Sequence, residues 1–446
     1  MLNHAQNIAR AIRECVAERR RQPMILCNNR LPELTARRFI GVLPRVLALA
    51  LVSVMCTSVT FADTTIRARD LGIPFRGLPG PLNAITDVAH VEVGHTTLIS
   101  GDGAVTRGKG PIRTGVTVIH PRGKQSLHGV YAGWFTLNAS GEMTGTTWLA
   151  ERGLIDGPIA ITNTHSVGIV RDSLVSWMVD QGWRADWHAP VVAETYDGAL
   201  NDIDGQHVAS EHVYTALANA SSGAVTEGAV GGGTGMICNG FKGGIGTASR
   251  VFKVKDRSYT LGALVQCNYN WDGDDLRIGG RAVSDQLPIG QHCHVDKKLP
   301  RSKEWYPYCK ENTDREERTR DGSIIVVLAT DAPLLPHQLT RLAKRPSLAL
   351  GRLGAVSSDG SGDIFVAFST ANSSATDEFE FTVADSYPNN ELTHAFRAAI
   401  QATEEAIINS MIAAPTMVGI DGLRVQHLPH EKVRSLFGAT TPEDQQ

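Results

Sequence analysis

The run Ile324 to Ala329 is apolar without a break, and it follows directly on Gly322-Ser323 and the charged tract Asp314 to Asp321. A short apolar run bounded by turn residues reads as a buried strand, so Ser323 stands where polar surface gives way to interior. Gly-Ser before a strand is ordinarily only a turn. A break in the peptide bond between Gly322 and Ser323 would give that strand a new beginning. Its first residue would carry a hydroxyl and a free α-amine, a nucleophile and a base on one residue.

The surrounding pattern is mixed. Short β-type runs recur at Val91 to Val93, Gly115 to Ile119, Ile159 to Thr162, Val191 to Ala193 and Ile364 to Phe368. Helical periodicity occupies Val167 to Trp183, Glu211 to Ala220 and Leu392 to Ile412, the last with Leu392, Phe396, Ile400 and Ile407 on one face. Such alternation predicts sheets buried by helices. The glycine clusters Gly231 to Gly235 and Gly243 to Gly246 lack the lysine and the strand-to-helix setting of a nucleotide loop, and read as tight backbone approaches in the core. Asp272 to Asp321 is polar and broken by prolines, and reads as a long exposed loop ending beside Ser323.

Residues 1–62 read as a leader with an export signal. Arg37-Arg38 and Arg45 supply positive charge, Val46 to Cys56 an apolar stretch, and Thr60-Phe61-Ala62 a small-x-small cleavage site. The stretch falls short of the ~20 residues a membrane span needs. Met24 offers an alternative start, and Arg37-Arg38-Phe39-Ile40 is compatible with a twin-arginine route. The expectation is a mature domain over 63–446, periplasmic or secreted, with no membrane attachment once the signal is removed. A net charge of −3 supplies no basic field for nucleic acid. Cys238, Cys267, Cys293 and Cys309 remain in the mature part, and export permits disulfides. Cys293 and Cys309 share one polar segment and read as a bridge. A zinc site made from His292, Cys293, His294 and Cys309 fits the usual ligand spacing badly.

Candidate chemistry lies in polar residues at the ends of apolar strands. Asn268 closes Leu264-Val265-Gln266-Cys267, and Ser361 and Asp363 bracket Gly362 ahead of Ile364 to Phe368. Two residues apart on a strand, Ser361 and Asp363 share a face, so the carboxylate can hold the hydroxyl. Strand-edge capping is the plainer use of each. Glu194 and Tyr196 place a carboxylate and a phenol at the end of another strand. His165-Ser166 lacks both a nucleophile elbow and an adjacent acid, and reads as a strand-to-helix junction with Ser166 as the cap.

Several blocks in one order resemble the L-aminopeptidase D-esterase/amidase family, which includes the β-aminopeptidases. They are Leu71-Gly-Ile-Pro-Phe, Gly80 to Asp87, Asn163 to Gly168, Glu194 to Gly198, Gly231 to Met236, Lys242 to Thr247, Gly322 to Val327, Thr330 to Pro336 and Ser361 to Phe365. The resemblance implies an α+β fold, an αββα sandwich of the N-terminal-nucleophile hydrolase kind in one large domain. It implies a precursor that cleaves itself at Gly322-Ser323 into an α chain (63–322) and a β chain (323–446), assembled as homo-oligomers of αβ units. Ser323 then matches the family's nucleophile, Ser361 and Asp363 its strand serine and carboxylate, and Asn268 its oxyanion asparagine. Trp187, Glu194 and Tyr196 match its substrate-site residues. Family members often carry Glu where Asp363 stands, and the stretch 272–321 is longer than usual.

The expected activity is release of N-terminal residues from small peptides, amides or esters through an acyl-enzyme, with no metal or organic cofactor. An acyltransferase that resolves the acyl-enzyme with an amine is the alternative within enzymes. An exported binding protein, with Gly322-Ser323 only a turn, is the alternative outside them.

Overall fold

The run after Ser323 becomes a strand buried from end to end, Ser323–Thr330, at the centre of a six-stranded sheet. The computed structural model describes residues 66–183, 185–303, 306–310, 322–373 and 381–438. The leader, its signal and the tract Asp314 to Asp321 lie outside them.

Among the described residues, two sheets carry the architecture. Their strands in chain order are β1 (Glu92–Ser100), β2 (Ile112–His120), β3 (Val130–Ala139), β4 (Leu154–Ile155), β5 (Ile159–Asn163) and β6 (Val191–Thr195), then β7 (Gly244–Val254), β8 (Arg257–Asn268), β9 (Ser323–Thr330) and β10 (Gly362–Ser369). The smaller sheet runs β1-β2-β5-β6, and the larger runs β4-β3-β10-β9-β8-β7. Within the larger sheet β9 pairs antiparallel with β8 and parallel with β10. Among the helices that cover the outer faces are α1 (Val167–Gln181), α2 (Ser210–Asn219), α3 (Pro336–Ala343), α4 (Pro346–Arg352) and α5 (Leu392–Ile412).

Alternation along the strands sorts the side chains into layers. Ile325, Val327 and Ala329 of β9 meet Ile159, Ile161 and Ala193 of the smaller sheet in the core between the sheets. Ile324, Val326 and Leu328 face the other way, onto Leu339 of α3 and Ala402, Ala406 and Ile407 of α5. On the far side Val118, Ala160 and Val192 pack against Val170, Leu174 and Val213 of α1 and α2. The order is helix, sheet, sheet, helix, which is the expected αββα sandwich. Its closeness explains the glycine clusters: a Cβ at Gly246 would stand 2.0 Å from the Ala406 carbonyl oxygen of α5. Only a bare backbone lets that helix lie so near the sheet.

Two expectations need correction. The described part of 272–321 is not an exposed loop. Leu276, Ile278, Val283, Leu287 and Ile289 are buried, and Cys293–His294 pairs with Leu423–Val425. Its apolar residues are spaced singly among polar ones, so they form no periodic run, yet they reach the helix-side core. The Cys293–Cys309 bridge closes this insert as expected, and a second bridge joins Cys238 to Cys267. Ser166 does precede α1, but its hydroxyl makes no capping bond. A 3-10 turn over Thr164–Ser166 runs straight into the helix, so Ser166 has helical rather than extended backbone and its side chain is not aimed at the first N–H groups.

Candidate active site

Ser323 opens β9 and is 7% exposed, so its hydroxyl sits at the mouth of the space between the sheets. The strand pairing sets its neighbours. Asn268 at the end of β8 lies directly opposite on one side, and Gly362 at the start of β10 on the other. The Gly362 N–H donates to Ser323 Oγ at 3.1 Å. Asn268 shares the face of Ser323, because residues paired across a ladder point the same way.

The Asn268 carboxamide is held at both ends. Its Oδ1 accepts from the Ile237 N–H at 2.9 Å, and its Nδ2 donates to the Tyr196 carbonyl at 2.9 Å. One bond to each end fixes which atom is oxygen and which is nitrogen, and the amide retains a second N–H for a ligand. Two residues back, Gln266 Nε2 donates to the Thr162 carbonyl and to Thr195 Oγ1, both at 2.9 Å. These bonds tie β8 to the smaller sheet beneath the site.

Ser361 Oγ donates to Asp363 Oδ1 at 2.6 Å. Burial pushes the Asp363 carboxyl above its ordinary range, and hydrogen bonds from Ser361, Ser357 and the Ile324 backbone oppose the shift. Glu194 is buried on β6. Thr164 Oγ1 donates to its Oε2, and the Glu142 N–H donates to its Oε1 at 2.9 Å. Burial raises its pKa against those two bonds. The segment Ser140 to Glu142 links this carboxylate to the serine. A Cβ on Gly141 would stand 3.0 Å from Glu194 Oε1 and 3.4 Å from Gly362 Cα.

Tyr196 forms the next wall. Its ring lies 6.4 Å from that of Trp271, and its hydroxyl accepts from Lys303 Nζ of the insert at 3.1 Å. Six of the residues singled out in the sequence therefore gather here: Ser323, Asn268, Ser361, Asp363, Glu194 and Tyr196. Trp187 is 55% exposed and packs on Trp148 at 4.8 Å, so its described contact is outside this cluster. His165 turns to Asp204, 3.3 Å away. Gly362, Ile237, Thr164 and Glu142 were not read from the sequence. Three of the four act through a backbone N–H, which leaves no trace in residue type.

The layers and the strand-borne serine define a hydrolase of the N-terminal-nucleophile fold. The chain belongs to peptidase family S58, whose model matches residues 83–425. It is 55% identical to the β-peptidyl aminopeptidase BapA of Sphingosinicella microcystinivorans over 83% of this chain and 91% of that protein. Among solved structures it matches a Burkholderia sp. β-aminopeptidase at 44% identity and TM-score 0.71, over 84% of this chain and all of that one. It also matches the L-aminopeptidase D-Ala-esterase/amidase of Ochrobactrum anthropi, described as a variant of the ntn hydrolase fold. That match has 45% identity and TM-score 0.72, over 84% of this chain and 99% of the other. The protein is a serine aminopeptidase/amidase. These relatives support hydrolysis, not the acyltransferase or binding-protein alternatives. Among the described residues no helix is long and apolar enough to cross a membrane.

Proposed function

We propose that this chain is an exported β-peptidyl aminopeptidase that matures by cutting itself between Gly322 and Ser323, and that Ser323 is then its nucleophile. The observation that carries the reading is the ladder position of Ser323 at the head of β9, between Asn268 and Gly362. A cut at the preceding bond leaves the amine and the hydroxyl on one residue beside a fixed amide donor.

In maturation Ser323 Oγ attacks the Gly322 carbonyl, the acyl group moves from nitrogen to oxygen, and water cleaves the ester. In turnover the Ser323 amine takes the Oγ proton as Oγ attacks the substrate carbonyl, and passes it to the departing amine. Water then releases the acyl group. The second N–H of Asn268 Nδ2 stabilises the oxyanion. Glu194 pairs with the free ammonium of the substrate, which confines cleavage to N-terminal residues, and Tyr196 lines the approach. The identity to BapA over nearly all of its length supports a preference for β-residues. The leader supports a periplasmic or secreted enzyme, and the family resemblance supports homo-oligomers of αβ units.

Intact mass tests this directly. Wild type should give two chains divided at Gly322-Ser323, and Ser323→Ala one uncut, inactive chain. Active protein of unbroken mass would overturn the reading. A β-alanyl and an α-alanyl anilide compared on the mature enzyme test the preference, with faster release from the β-substrate expected.

A further inference from the structure

The Asn268 carboxamide does not orient itself. Its oxygen is held by the Ile237 N–H, and Ile237 belongs to a small hairpin in which Ile237–Cys238 pairs with Phe241–Lys242. Backbone bonds hold this hairpin, from the Asn239 N–H to the Tyr269 carbonyl at 2.9 Å and from the Lys242 N–H to the Gln426 carbonyl at 2.7 Å, and two further fastenings reinforce them. Lys242 is buried, and its Nζ donates to the Met236 carbonyl at 2.9 Å and to the Gly243 carbonyl at 2.8 Å, closing the neck. At the other end Cys238, next to Ile237, is bridged to Cys267, next to Asn268. Both sulfurs are fully buried. The covalent link and the hydrogen bond thus join neighbouring residues of the same two segments.

We propose that the Cys238–Cys267 disulfide is a positioning element for the reaction: it bolts the hairpin to β8 so that the Ile237 N–H fixes Asn268 Oδ1 and Nδ2 is presented beside Ser323. This rests on the assignment of Asn268 as the oxyanion donor. A bridge that served only to stabilise the fold would be placed without regard to a catalytic amide. This one adds the covalent link to the Asn239–Tyr269 bond between the same two segments, directly beside the Ile237–Asn268 bond, and so limits how far its ends can drift apart. Transition-state hydrogen bonds are sensitive to such drift, since a displacement near 1 Å can cost on the order of a hundredfold in rate. Substrate binding through Glu194 and Tyr196 uses other segments and should be spared. The Cys293–Cys309 bridge lies in the insert and provides the control.

The test is a double-mutant cycle on mature, two-chain enzyme. Cys238→Ala with Cys267→Ala opens the bridge. If that pair yields no folded protein, Cys238→Val with Cys267→Ala restores most of the lost volume. The expected result is a kcat lower by about tenfold or more with KM within about twofold. Opening the Cys293–Cys309 bridge in the same way should leave kcat within about twofold of wild type. In an Asn268→Ala background, opening Cys238–Cys267 should cost nothing further in kcat, because the donor it positions is already gone. A bridge-opened enzyme with wild-type kcat overturns the proposal, as does a loss that adds in full to that of Asn268→Ala. The parent assignment fails separately, by a wild-type kcat for Asn268→Ala alone.

Discussion

The Ser361 hydroxyl is bound to the Asp363 carboxylate on the face of β10 opposite the one that Ser323 Oγ approaches. Gly362 lies between them and faces Ser323, since a Cβ there would be 3.0 Å from Ser323 Oγ. Phe365, on the Asp363 side of the strand, belongs to the helix-side core, whereas Ile364 belongs to the core between the sheets. Asp363 is hydrogen-bonded by the Ile324 backbone, one residue from the Ser323 nitrogen. If the pair takes part in the proposed reaction, that contact makes the Ser323 nitrogen, one residue away, the group on which it would act.

A shift in the pH profile follows from this placement. A nearby carboxylate favours the charged form of an amine and raises its pKa above the ~7.7 to 8.0 of a free α-amine. Asp363→Asn removes that charge. The rising limb of kcat/KM, set by loss of the amine proton, should then move to lower pH. Ser361→Ala keeps the charge and should move it less. Profiles of wild type and both variants between pH 5 and 10 check this, and a limb that Asp363→Asn leaves in place would assign the pair elsewhere.

Asn268→Ala should lower kcat by about 10² to 10³ and leave KM nearly unchanged, the pattern for a donor that bonds only the transition state. Steady-state kinetics with an anilide substrate separate the two constants. A raised KM with full kcat would make Asn268 a substrate-binding residue instead.

Gly322 should matter for maturation and not for turnover. In the uncut chain a Cβ at this position would lie 1.9 Å from the Asn268 carbonyl oxygen and 2.8 Å from Trp271 Nε1. Gly322→Ala must push the bond to be cut out of place. Once the bond is broken residue 322 ends its chain and can move aside. Denaturing gels over time should show slower splitting, while kcat per two-chain molecule stays within about twofold of wild type.

Much of this was legible in the sequence because it depends on local period and residue type. The unbroken apolar runs at Ile324 and Ile364 became central strands, and Leu392 to Ile412 became a helix with those ends. The contact of Ser361 with Asp363 follows from the two-residue repeat alone. What stayed hidden was whatever depends on chain segments meeting at a distance. The Ile237 N–H that orients Asn268 comes from 31 residues away. The Cys238–Cys267 bridge spans 29 residues between two segments that look unrelated until the hairpin folds over β8. The insert misled for a related reason: isolated apolar residues such as Leu276 and Ile289 carry no periodic signal, and only the finished core shows that they are buried.

Asp197 sets a pH dependence of stability whose sign runs against intuition for a hydrogen-bonded carboxylate. It is fully buried, accepts from Asn163 Nδ2 at 3.0 Å and Asn201 Nδ2 at 3.1 Å, and burial outweighs these bonds to raise its pKa from 3.8 to about 6. The folded protein therefore holds this proton more tightly than the unfolded chain does. Its favourable contribution is complete below about pH 4 and is lost as pH rises through about 6, a change of about 3 kcal/mol. Asp197→Asn removes the titration, although it also sets an amide donor against two others and should be less stable at acid pH. Between pH 4 and pH 7 the gap between wild type and variant should close by about that amount. Urea unfolding in a Ser323→Ala background, which keeps a single chain, measures it. A gap that widens toward neutral pH would mean that the hydrogen bonds, and not burial, govern this carboxylate.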